Sequence, residues 1–93
     1  MSNRTVELQQ TPDQAWSTLL RAAESMGKVE ERGDVARFLV MKARYGLNPV
    51  RFRVAVLSGP QEGSSVLEIA GRGQDVWGVA SRKVIDKLIL RLG

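Results

Sequence analysis

From Arg4 to Gln9 the chain alternates, with Val6 and Leu8 on one face and Thr5, Glu7 and Gln9 on the other. This period of two predicts a half-buried strand. Thr11-Pro12-Asp13-Gln14 follows: a hydroxyl N-cap, a proline at the first helical position, an acid in the first turn and a capping-box glutamine. Trp16, Leu19, Leu20, Ala23 and Met26 then recur at helical spacing, and Gly27 stands where a left-handed C-cap glycine is expected. Beyond it the helical period disappears. The segments Lys28 to Glu31, Val35 to Arg44, Val50 to Leu57 and Ser64 to Arg72 are separated by turn residues, so an antiparallel meander is predicted. Its connections are a tight Arg32-Gly33-Asp34 hairpin, a longer loop from Tyr45 to Pro49 and a solvated loop from Ser58 to Gly63. From Val76 to Leu92, Trp77, Ala80, Ser81, Val84, Ile85, Leu88 and Leu92 form one apolar stripe within an arc of roughly 140°, opposite Arg82, Lys83 and Asp86.

Within the meander, Val50, Phe52, Val54 and Val56 read as inward, opposed by Arg51, Arg53 and Ala55. The preceding segment is apolar on both faces, with Phe38 and Val40 on one and Leu39 and Met41 on the other. Phe38 and Val40 are expected inward. Leu39 and Met41 are then outward, as part of the neighbouring structure or as a partner surface.

Composition narrows the chemistry. Ninety-three residues make one domain, because a chain this short buries roughly 65% of its unfolded surface around a single core. Histidine and cysteine are absent, which excludes disulfides, thiol nucleophiles, imidazole acid-base chemistry and zinc sites built from those residues. Glu30, Glu31 and Asp34 cluster at a hairpin with Arg32, a solvated turn, and no spacing of carboxylates marks a catalytic pair. No metal or cofactor is expected, and the role implied is binding rather than catalysis. The apolar run Val54–Leu57 is only four residues, and the start Met1-Ser2-Asn3-Arg4 is polar, so a cytoplasmic protein without a membrane span is expected. Fourteen basic against ten acidic side chains give a net charge of +4, a lean toward anionic partners.

The order strand, helix, four strands, long terminal helix resembles the β-α-β4-α layout of TATA-binding-protein repeats and of the helix-grip superfamily, the START, polyketide-cyclase and birch-pollen-allergen-like proteins. Thr11-Pro12-Asp13-Gln14-Ala15-Trp16 resembles their entry into the first helix, and Gly63 to Ile69 with the amphipathic end resembles their closing strand and gripping helix. The resemblance implies an α+β fold, a curved five-stranded antiparallel sheet packed against the C-terminal helix. This chain has no room for the extra strands and helical lid of the larger members. The resemblance also implies an apolar pocket between sheet and helix, lined by Trp16, Phe38, Val40, Phe52, Val54, Trp77, Val84 and Leu88.

Three partner classes follow. The first is an apolar small molecule in that pocket. The second is another protein or a second copy of the chain, contacting Leu39 and Met41 or the back of the last helix at Val79 and Leu90. The third is an anion or nucleic acid held by Lys42, Arg44, Arg51, Arg53 and Arg72 on the outer sheet face, where no aromatic residue is expected. Gly71-Arg72-Gly73-Gln74-Asp75 lacks the spacing of a phosphate loop, and Asp75 reads as the cap of the last helix.

Overall fold

The computed structural model describes residues 3–72 and 79–92; the side chains of several residues at element ends, Arg72 and Val79 among them, lie outside that description, as do Asp75 and Trp77. In chain order the elements are β1 (Asn3–Leu8), α1 (Pro12–Met26), β2 (Lys28–Gly33), β3 (Phe38–Tyr45), β4 (Asn48–Ser58), β5 (Ser65–Arg72) and α2 (Val79–Leu92). The strands form one antiparallel sheet in the order β1-β5-β4-β3-β2. β2 to β5 are the expected meander, and β1 joins its last strand.

α1 begins as its sequence demands. The Thr11 hydroxyl accepts from the Gln14 amide at 3.2 Å, and the Thr11 amide donates to Gln14 Oε1 at 3.0 Å. At the other end Gly27 is extended (φ −174°, ψ −145°), so the expected left-handed cap does not form. Its glycine answers a different need: a Cβ there would lie 2.2 Å from the Lys42 carbonyl oxygen of β3.

Two connections differ from expectation. The turn between β2 and β3 falls at residues 34–37, leaving Gly33 inside β2 and Val35 in the turn, 96% exposed. Arg37 reverses the chain with φ 54°, its carbonyl accepts from the Val56 amide at 2.8 Å, and its Nε donates to Asp13 at the start of α1, 3.1 Å away. Between β3 and β4 the turn is only residues 46–47, with Tyr45 opposite Asn48 and Gly46 at φ 62°. A two-residue hairpin with glycine first is the arrangement whose twist matches its strands.

That short turn decides which side chains meet. It places Met41 opposite Phe52 and Leu39 opposite Val54, and directly opposed residues share a face. Leu39 and Met41 are therefore fully buried in the core with Leu19, Phe52, Val54, Leu67, Ile69, Ile85 and Leu88. Phe38 and Val40 lie on the opposite face, across from Ala55 and Arg53. The expected assignment of β3 is thus reversed: Leu39 and Met41 are not a partner surface, and Phe38 and Val40 do not line the sheet-helix interior. α2 packs on β3, β4 and α1, burying Val84, Ile85, Leu88 and Leu92 as its stripe requires. Arg91 of α2 donates to Ser25 of α1 at 3.3 Å, and Asp86 pairs with Arg4 of β1.

Candidate functional site

Both helices pack against the face of the sheet that carries Leu39, Met41, Phe52 and Val54. Among the described residues neither helix packs on the opposite face, and the register lays out its residues in transverse rows. One row runs Thr5, Glu68, Ala55, Phe38, Gly33; the next holds Ala70, Arg53, Val40 and Glu31. A third joins Lys28 of β2 to Lys42 of β3 and Arg51 of β4, with Arg72 as the register partner of Arg51 on β5. Arg44 stands on the same face two residues beyond Lys42. Expectation had Lys42, Arg44, Arg51, Arg53 and Arg72 on neighbouring strands; the register does bring those positions together. Lys28 was missed. Its signal was present in the sequence as the first residue after the α1 cap, and only the pairing with Lys42 shows that it extends the row.

Charges opposite one another with the same sign destabilise a sheet, so their compensation matters. The ion pairs among the described residues are Arg4–Asp86, Arg32–Asp34, Arg37–Asp13 and Arg51–Glu30. Lys28, Lys42 and Arg44 belong to none of them. Glu30 reaches Arg51 because β2 carries an irregularity between Val29 and Glu31, which leaves Glu30 as the extra residue of a bulge. Arg51 Nε donates to Glu30 Oε1 at 2.8 Å.

Lys28, Lys42 and Arg44 also share a concavity. β2 begins at Lys28, so Ala43 and Arg44 of β3 have no paired strand residue on that side, and Gly27 passes beside Ala43 instead. A depression of 430 Å³ opens there, lined by Met26, Gly27, Lys28, Lys42, Ala43 and Arg44. Its charged lining is wholly cationic. Along the outer edge of β2, by contrast, a depression of 480 Å³ mixes Lys28 and Arg32 with Glu24, Glu30 and Glu31.

Toward the other end of the open face the chemistry changes. Phe38 is half-buried, its ring lying over Gly33, where a Cβ would meet it at 2.3 Å. The Arg53 guanidinium sits over the same ring, 4.9 Å from its centroid, a cation-π contact. The outer face thus has the aromatic residue that expectation denied it. Glu68 is in none of the described ion pairs; with Thr5, Arg53 and Ala70 it borders a depression of 300 Å³.

The remaining expected site residues divide by face. Trp16, Phe52, Val54, Val84 and Leu88 come together in one continuous core. Trp77 lies outside the described residues. Leu90 is 80% exposed on the back of α2, as its position away from the stripe implies.

No protein-family model and no curated protein matches this chain. Among solved structures it is similar to an uncharacterised protein from Bacillus thuringiensis, with a TM-score of 0.71 at 12% identity over 98% of this chain and 94% of that one. It is also similar to a START superfamily protein from Mycobacterium smegmatis, with a TM-score of 0.45 at 12% identity over 98% of this chain and 90% of that one. The fold is the expected α+β arrangement, strand, helix, four strands and helix, with a five-stranded antiparallel sheet and the terminal helix packed on β3 and β4. No helix among the described residues is long and apolar enough to cross a membrane.

Proposed function

We propose that this chain is a non-enzymatic binding domain that holds a polyanion against the basic end of its open sheet face. The observation that carries this reading is the run of directly opposed cations Lys28, Lys42 and Arg51, with Arg44 beside them and Glu30 as their one carboxylate partner among the described residues. Unliganded, the run repels itself; a row of phosphates or sulfates turns that repulsion into attraction and releases condensed counterions. The cationic depression at Lys28, Lys42 and Arg44 gives the anion a concave seat beside the row.

The test is affinity for heparin as a function of salt. Binding is expected to fall steeply between about 50 and 200 mM salt, and Lys42→Glu is expected to weaken it by roughly tenfold or more. Failure to bind heparin at the lowest salt overturns the reading.

A second reading, an apolar small molecule between the sheet and α2, draws on one observation. Ser65 Oγ is fully buried on the inner face with no hydrogen-bond partner among the described residues. Such a group costs about 1–3 kcal/mol, and the polar end of a ligand reaching the start of β5, where Ser65 lies opposite Leu8 and Ser58, supplies the missing partner. Displacement of an environment-sensitive dye by fatty acids tests this reading, and the absence of any dye signal would count against it.

A further inference from the structure

We infer that the polyanion is a single-stranded nucleic acid, one of whose bases stacks on Arg53 and is read by Glu68. This rests on the reading of the basic face given above and extends it from charge to bases. A heparin-like chain needs only the cations. It leaves unexplained why the same face carries an arginine placed over an aromatic ring.

The Arg53 guanidinium carbon lies over Phe38, 4.9 Å from the ring centroid, so the ring takes up that side of the group. Arg53 itself is exposed, leaving its other face to solvent. Bases in single strands are recognised by stacking on aromatic rings or on guanidinium planes of this kind. Arg53 is two residues from Arg51 along β4, about 7 Å at the rise of a strand. A base over Arg53 is therefore one step from phosphates lying along Lys42 and Arg51.

The depression on the far side of Arg53 supplies the edge contact. Its volume is 300 Å³, its floor includes Ala70, and the exposed side chains of Glu68 and Thr5 stand along it. The small side chain of Ala70 lines the same depression, which leaves room for a flat ring. The Glu68 carboxylate only accepts hydrogen bonds, so it favours a base that presents an exocyclic amino group. Cytosine donates from N4 at the position where uracil presents an acceptor. The site should therefore prefer cytosine to uracil.

The experiment measures fluorescence anisotropy of labelled oligocytidine and oligouridine of equal length, with heparin as a base-free polyanion. Oligocytidine is expected to bind about tenfold more tightly than oligouridine, and Glu68→Ala should erase the difference. Arg53→Lys keeps the charge and removes the plane, so it should weaken oligocytidine by about fivefold or more, and by more than it weakens heparin. Equal affinity for the two oligonucleotides, together with an Arg53→Lys protein that binds both as well as the parent, overturns this inference and leaves the basic-face reading standing if heparin still binds. Loss of heparin binding as well overturns both.

Discussion

At Gly27 the chain leaves α1 and passes so near β3 that any side chain would strike backbone, because a Cβ would lie 2.2 Å from the Lys42 carbonyl oxygen. A backbone atom cannot swing aside as the end of a side chain can. Gly27→Ala is expected to destabilise the fold by about 2 kcal/mol, read as a lower urea midpoint; an unchanged midpoint would show that the approach is looser than described. The same strand decides the role of Leu39, fully buried opposite Val54. Leu39→Ala should cost about 3 kcal/mol, whereas a residue on a solvent-exposed partner surface would stay within about 0.5 kcal/mol. The parity of β3 was not legible from its residues, since Phe38-Leu39-Val40-Met41 is apolar on both faces and alternation carries no sign there. What resolves it is Gly46. Once the hairpin is closed by two residues, counting back from Tyr45 and Asn48 puts Met41 on Phe52, and the core face follows.

Elements were easier to read than registers. α1 carried its own start signal, and Thr11 and Gln14 form the reciprocal bonds that their types and spacing imply. Thr11→Ala should lower stability by about 1 kcal/mol, measurable by thermal or urea unfolding; no loss would mean that the packing of Trp16 and Leu19 holds the first turn without its cap. α2 is fixed chiefly by its stripe. The Arg4–Asp86 pair that ties it to β1 is more than a third exposed on both partners, so it contributes under about 1 kcal/mol. The turn after β2 was misplaced because Arg32-Gly33-Asp34 has turn chemistry, while the reversal falls on Arg37, a residue type with no preference for φ 54°. The bulge at Glu30 left no mark in the sequence either, and it is what brings a carboxylate to Arg51.

Across the whole molecule, one face of the sheet is spent on the helices and the other is divided by charge. Glu7 and Glu68 lie toward the end where β5 begins, whereas Lys28, Lys42, Arg44 and Arg51 gather where β2 begins and the 46–47 hairpin turns. A net charge of +4 gave only a weak hint of this, since it does not tell where the cations lie. The split was legible in part: the outward parity of Arg51 and Arg53 was visible, but the row to Lys28 needed three registers. The location of binding is therefore the central claim, and amide chemical-shift mapping during a titration with heparin tests it most directly. Salt-sensitive shifts are expected at Lys28, Lys42, Arg44 and Arg51, with the α2 face carrying Arg82, Lys83 and Lys87 unmoved. Shifts confined to that helix face, with the sheet silent, would contradict that claim.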